Sequence, residues 1–190
     1  MLVCALALNV ATGNLLWLAY SLVGVAVFAF GAGLVRAGRW HPETRAVWLV
    51  GLTWGLHYVG GSLAGLHQIG GPNGLYYAFP WWDNVVHALG SAAVTVATTA
   101  ALLRTLPARR GLCAFLGVAV AGLVGTLVEL YEFAQYLWFG TVDQGFYTNT
   151  MVDLYDNVVG GALGATLYVL TAPKAVPAPS PAAPSEPPAP

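Results

Sequence analysis

Residues 112–139 read LCAFLGVAVAGLVGTLVELYEFAQYLWF, and this stretch decides the fold. No charged residue occurs before Glu129, and the apolar pattern continues past Glu132 to the end of the stretch. A bilayer core about 30 Å thick requires roughly 20 apolar residues in a helix. The stretch is therefore predicted to be a membrane-spanning helix with two acids near one end.

Four further windows have a similar character. Three of them contain no Asp, Glu, Lys or Arg, and the last carries Asp153 and Asp156 in its first turns. The sequence predicts an all-α, polytopic transmembrane helix bundle over residues 1–171, with about five membrane-spanning helices. Their predicted ranges are 15–35, 46–66, 85–103, 112–139 and 151–171.

The composition supports a lipid environment. Of the 190 residues, 57% are hydrophobic and 8% are charged, against about 25% charged in an ordinary soluble domain. The absence of a basic block argues against nucleic-acid binding, which requires a concentrated cationic face. Cys4 and Cys113 are too isolated for a metal or redox motif.

The two ends of the chain differ from the predicted helices. Residues 1–13 are apolar but too short to span a membrane, and they lack the basic region of a signal peptide; we expect part of a truncated sixth helix there. Residues 172–190 hold eight of the twelve prolines among alanines. Such a segment cannot bury a core, so a disordered cytoplasmic tail is predicted.

The charged residues predict the orientation. Five alternating crossings would place all seven Lys and Arg on one side, with a net charge of +5, and leave the other side at −6 with no basic residue. Basic loops of membrane proteins remain in the cytoplasm. We therefore expect a multi-pass protein of the plasma (inner) membrane, with the N-terminus outside and the C-terminus in the cytoplasm.

Acids within a membrane are the strongest functional signal. Each costs about 2.5 to 3.5 kcal/mol on insertion scales. Three pairs or groups each share one helix face near the outer side. They are Asp83 with His87, Glu129 with Glu132, and Asp153 with Asp156 and Asn157; His57 lies deeper on the second predicted helix.

These residue types suit a divalent metal ion. Clustered carboxylates repel one another unless they take up protons or a cation, and carboxylate oxygens and imidazole bind Mn, Fe, Zn or Mg. The predicted metal ligands are Asp83, His87, Glu129, Glu132 and Asp153, with His57, Asp156 and Asn157 as additional candidates. Neither HExxH nor the Glu-x-x-His pair of di-iron bundles occurs.

Structural roles compete with this interpretation. Asp83 could cap the third predicted helix, and Asp153 or Asp156 could stabilise the positive end of a helix dipole. His57 could be a hydrogen-bonded core residue, and His41 and His67 are expected in loops. Glu129 has no comparable role, because the helix dipole disfavours an anion far from the N-terminus.

Three motifs resemble the YjdF-type inner-membrane proteins, a family of unknown function. They are WWDNVVHALG at 81–90, ELYEF at 129–133 and YTNTMVDLYDNVVGGALG at 147–164. The resemblance covers about residues 80–165 and implies a shared topology and site. It marks Asp83, His87, Gly90, Glu129, Glu132, Thr150 and Asp153, and Asn149 stands where that family commonly has Asp.

A more distant resemblance is to the VanZ-like proteins, which are associated with resistance to a glycopeptide antibiotic. That resemblance implies roles for Glu129, Gln135, Asp153 and Asn157.

Two functions are compatible with these residues. One is a membrane-embedded, metal-assisted enzyme that acts on a lipid or envelope intermediate, with Glu129 or Glu132 as the general base. The other is a non-catalytic protein that binds or transports a cation or protons. Five helices are few for a transporter, so the second function implies a homo-oligomer, and both imply membrane lipid as a partner. Haem ligation by His57 and His87 is disfavoured by the surrounding acids.

Overall fold

In the computed structural model, every element of the described chain is a helix. The structure describes residues 2–39, 42–63, 74–140 and 145–171. Their seven helices are α1 Leu2–Thr12, α2 Leu15–Arg36, α3 Thr44–Ser62, α4 Leu75–Ala78, α5 Trp81–Thr105, α6 Arg110–Phe139 and α7 Tyr147–Thr171. The all-α prediction is confirmed, and no strand occurs in these ranges.

The five predicted helices match α2, α3, α5, α6 and α7 within a few residues at their described ends. The largest differences are four residues: α5 and α7 begin earlier than predicted, and α3 ends at Ser62 rather than at residue 66. Trp81, Trp82 and Tyr147 lie within helices, although the predicted ranges exclude them. The tail at 172–190, His41 and His67 lie outside the described residues.

Among the described residues, three helices are long and apolar enough to cross a bilayer. They are Trp17–Arg36, Trp81–Thr105 and Arg110–Phe139, with 20, 25 and 30 residues. This result supports membrane insertion. Helix α7 has 25 residues, about 37 Å at 1.5 Å per residue, but its buried polar side chains reduce its apolar character.

Helices α5, α6 and α7 form the centre of the molecule, and α3 packs on the opposite side of α5. Small residues permit the close approach. A Cβ atom on Gly160 would overlap the Ala88 backbone, and one on Gly164 would crowd Ala92. Gly160 and Gly164 therefore allow close packing of the helices, whereas Gly51 has nothing within 4 Å of its Cβ position.

The N-terminal segment is a short helix that folds back on α2. Gly13 has a positive φ of 65°, and the Asn14 side chain accepts a hydrogen bond from Trp17 N at 3.3 Å. The fully buried Asn9 donates to the hydroxyls of Ser21 at 3.1 Å and Ser62 at 3.0 Å. Hydrogen bonds therefore tie α1 to both α2 and α3.

Basic side chains collect at one end of the bundle. Arg45, at the start of α3, donates to the hydroxyl and carbonyl oxygens of Thr171 at 2.6 and 3.0 Å. Its guanidinium carbon lies 5.8 Å from the ring centre of Tyr168, and Arg104 and Arg110 also act electrostatically on Tyr168. The N-terminal ends of α5 and α7 point toward the opposite end.

Candidate metal centre

The candidate site is built on the first two turns of α5 and the second turn of α7. Asp83 and His87 are four residues apart, so they share one face of α5. His87 Nε2 lies 3.5 Å from Asp83 Oδ1. One ligand atom from each of Asp83, His87 and Asp153 lies within 4.8 Å of the other two.

Helix α6 brings a third carboxylate next to His87, outside that group of three ligand atoms. Glu129 Oε1 lies 3.6 Å from His87 Nε2, and the residue is only 3% exposed. Neither of its oxygens has a hydrogen-bond partner of normal geometry, and the Thr150 side chain is a polar neighbour of the carboxylate. We call Asp83, His87, Glu129 and Asp153 the acid–histidine cluster.

The position of Asp83 excludes its predicted capping role. Pro80 occupies the N-cap position of α5 and makes no side-chain cap. Asp83 lies within the first turn of the helix, facing His87. The capping interpretation is therefore wrong, because the helix begins before this residue. Asp153 is likewise not a terminal residue, since α7 begins at Tyr147.

The other two polar residues of α7, Asp156 and Asn157, have different partners. Asp156 accepts a hydrogen bond from the Asn84 amide. Asn157 accepts one from Ser91 Oγ at 2.7 Å, and its own amide nitrogen lacks a hydrogen-bond partner. Both residues are thus bound to α5 outside the acid–histidine cluster, although they were additional ligand candidates.

His57 and Glu132 lie beside the cluster. His57 Nδ1 is 2.7 Å from the Tyr76 hydroxyl, and the ring is surrounded by Trp17, Tyr20 and Tyr58. Burial raises the pKa of Tyr76 well above its usual value, and the charges of Asp83 and Glu132 raise it further. The Tyr76 hydroxyl therefore stays protonated. His57 is not one of the three residues, Asp83, His87 and Asp153, whose ligand atoms lie close together.

Exposed aromatic residues surround this end of the bundle. They include Tyr77, Phe79, Trp81, Trp138, Phe139, Phe146 and Tyr147. Such residues are typical of the membrane–water interface. Two aromatic residues of the same segments turn inward instead: Tyr76 toward His57, and Trp82 toward Gly60.

Asn149 and Tyr76 were not among the predicted site residues, although the family resemblance drew attention to position 149. Asn149 Nδ2 donates to Asp153 Oδ2 at 2.6 Å and to Asp83 Oδ2 at 3.4 Å. The four-residue spacing from Asn149 to Asp153 was a usable signal. Tyr76 gave no comparable signal, because its contact with His57 joins segments nineteen residues apart.

The geometry of the cluster suits a divalent cation. With bonds of about 2.1 Å, neighbouring ligand atoms lie about 3.0 to 3.4 Å apart and opposite ones about 4.2 Å apart. The observed separations of 3.5 and 3.6 Å exceed the neighbouring distance by a few tenths of an ångström, and the limit of 4.8 Å for the group of three exceeds the opposite distance by about 0.6 Å. A small contraction would bring the side chains into one coordination sphere.

A family model described as "Predicted membrane protein (DUF2238)" matches residues 1–174. The chain belongs to this family. No curated protein and no solved structure matches it significantly. Membership in the family agrees with the apolar helices of the described chain, and both indicate a membrane protein.

Proposed function

We propose that this membrane protein binds a divalent cation through Asp83, His87, Glu129 and Asp153. Glu129 carries the proposal. A buried carboxylate normally accepts hydrogen bonds or pairs with a base, yet neither oxygen of Glu129 has a hydrogen-bond partner of normal geometry, and Oε1 lies 3.6 Å from His87 Nε2. A cation between these groups would offset the cost of burying three carboxylates together.

We further propose five crossings, with the acid–histidine cluster at the outer face of the plasma membrane. Helix α7 is compatible with a crossing although it is less apolar. Its polar residues Asp153 and Asn157 are buried against other helices and therefore do not face lipid. The arginines at the opposite end support a cytoplasmic location for that end. Asp83 and Arg104 are 21 residues apart on α5, about 31 Å along the helix.

The chemistry we propose is metal-assisted hydrolysis of a lipid or envelope intermediate. A bound divalent cation lowers the pKa of water and polarises a substrate oxygen. Glu129 is a ligand in this proposal, and Glu132, one turn further along α6 and more exposed, accepts the proton. The surrounding aromatic belt supports a substrate that reaches the site at the level of the lipid headgroups.

Cation or proton transport is the second candidate, and one observation favours it. Ser91, Thr95 and Thr99 continue the four-residue spacing of Asp83 and His87 along α5, and all three are buried. Thr95 and Thr99 donate only weakly, at 3.4 Å, to carbonyls of α6. A row of hydroxyls would extend from the cluster toward the basic end, and transport would then favour a homo-oligomer.

Calorimetric titration of purified, chelator-treated protein with Mn²⁺ and Zn²⁺ tests the cation site. Asp153→Asn should weaken binding at least about tenfold. Asp156→Asn is the matched control on the same helix, and its affinity should stay within about threefold of the original. Equal losses in both variants, or no binding by the unmodified protein, would overturn the proposed site.

Flux into reconstituted vesicles separates the two candidate functions. If the protein transports, Thr95→Val and Thr99→Val should reduce cation or proton flux without changing cation affinity. Thr126→Val is the matched control, because its exposed hydroxyl bonds to the Gly122 carbonyl of its own helix. No flux by the unmodified protein, with intact cation binding, would reject transport and leave the hydrolytic function.

A further inference from the structure

Asn149 occupies the position between two carboxylates of the acid–histidine cluster. Its amide nitrogen donates to Asp153 Oδ2 at 2.6 Å and to Asp83 Oδ2 at 3.4 Å. The two acceptors belong to different helices, α7 and α5. The amide hydrogens thus supply partial positive charge at the point where these carboxylates face each other.

The backbone fixes Asn149 at this point. Asn149 lies in the first turn of α7, and its backbone N–H donates to the Phe146 carbonyl at 2.8 Å. Gly145, with a φ of 63°, precedes the turn, and a Cβ atom there would lie 3.1 Å from Asn149 Cβ. The side chain therefore has a fixed origin next to both carboxylates and can change mainly by rotation of its amide.

Rotation of the amide would convert a donor into a ligand. Nδ2 and Oδ1 of asparagine have nearly the same position relative to the side chain, so a half-turn exchanges them. The carboxylate oxygens that now accept hydrogen bonds would be engaged by a bound cation. The amide would then present Oδ1, which is an acceptor and a good ligand for Ca²⁺, Mg²⁺ and Mn²⁺.

We infer that Asn149 is a further ligand of the cation site and biases it toward Mn²⁺ over Zn²⁺. This inference rests on the proposed cation site, which the buried Glu129 carboxylate supports independently, because neither of its oxygens has a hydrogen-bond partner of normal geometry. With Asn149, the ligand set has four oxygen donors and one imidazole. Oxygen donors in this number suit Mn²⁺, whereas Zn²⁺ reaches its usual four ligands without the amide.

Titration of the purified full chain with Mn²⁺ and with Zn²⁺ tests the inference. Asn149→Ala should lower the Mn²⁺ affinity about tenfold and the Zn²⁺ affinity about twofold or less. Asn149→Asp should raise the Mn²⁺ affinity, because the new carboxylate adds a negative oxygen ligand. Thermal unfolding without metal, measured for each variant, identifies any variant that fails to fold.

Asn84→Ala is the matched control. Asn84 also donates an amide hydrogen bond between α5 and α7, but its acceptor is Asp156. Equal losses of Mn²⁺ and Zn²⁺ affinity in Asn149→Ala, or the same losses in Asn84→Ala, would reduce Asn149 to a bridge between helices and overturn the inference. Absence of binding by the unmodified protein would overturn the proposed function as well, so the two failures are distinguishable.

Discussion

Glu129 is the residue whose environment is most difficult to explain by stability alone. It is 3% exposed, its oxygens lack hydrogen-bond donors, and its ion-pair contact is with the His87 ring. Arginines of the described chain at the far ends of α5 and α6 are too distant to neutralise it. A functional requirement, rather than folding, would account for the retention of such a group.

Replacing Glu129 by Gln should separate stability from function. The cation-free protein should be at least as stable thermally, because the substitution removes a buried charge. The stabilisation produced by saturating Mn²⁺, several degrees when the ion is at about 100 times its dissociation constant, should be lost. Differential scanning fluorimetry with and without the ion measures both effects.

Glu132→Gln is the control for this experiment. As the proposed proton acceptor, Glu132 is not required for binding, so the variant should keep most of the Mn²⁺-induced stabilisation. The assignment of Glu129 as ligand is contradicted if Glu129→Gln retains that stabilisation, or if Glu132→Gln loses it to the same extent.

Sequence spacing predicted one pair of residues in the cluster, but not how its three helices meet. Residues four apart on a helix must share a face, so Asp83 and His87 could be paired in advance. The meeting of these residues with Glu129 and Asp153 depends on how α5, α6 and α7 pack, which energetic reasoning suggested but no local pattern determines. Two hydrogen bonds could be recognised only in the three-dimensional structure: the one from Asn149 to Asp153 and the one from Asn84 to Asp156.

At the scale of helices, the close approach of α5 and α7 positions the site. Both helices run in the same direction from the acidic end, and α7 carries glycine where it crosses α5. Gly160, two turns beyond Asp153 on α7, faces the backbone of Ala88, which directly follows His87 on α5, and no space is left for a side chain. The distance between Asp83 and Asp153 therefore depends on packing one to two turns below them.

Gly160→Leu should lower the midpoint of thermal unfolding by about 5 °C or more, because the added side chain would force the two helices apart. Gly51→Leu is the control with the same substitution at a position that has nothing within 4 Å, and it should change the midpoint little. Thermal unfolding in detergent measures both variants. An unchanged midpoint for Gly160→Leu would contradict this packing.

The sequence predicted the C-terminal ends of α2 and α6 more accurately than the N-terminal starts of α5 and α7. Apolar length and basic residues fixed the ends of α2 near Arg36 and of α6 near Phe139 to within one residue. The starts of α5 and α7 were predicted too late: the predicted ranges exclude Trp81, Trp82 and Tyr147, and aromatic residues are typical of the membrane–water interface. An aromatic residue at the membrane interface can lie either within a helix or in the segment that precedes it, so composition alone could not place the start of the helix.

At the scale of the whole molecule, charge is divided between the two ends of the bundle. Arg45 and Thr171 meet at one end, close to Tyr168, and the acid–histidine cluster occupies the other end. A membrane potential negative inside and the rule for basic loops both favour the arginine end in the cytoplasm. Two exposed alanines, Ala78 at the end of α4 and Ala108 between α5 and α6, provide a matched pair for testing this orientation.

In a background with Cys4→Ser and Cys113→Ser, intact cells that express Ala78→Cys should react with a membrane-impermeant maleimide. Cells that express Ala108→Cys should react only after the membrane is permeabilised. The reverse pattern would place the acid–histidine cluster in the cytoplasm and remove the argument for an envelope substrate. Labelling of both positions in intact cells would show that α5 does not cross the membrane, because these two positions flank that helix.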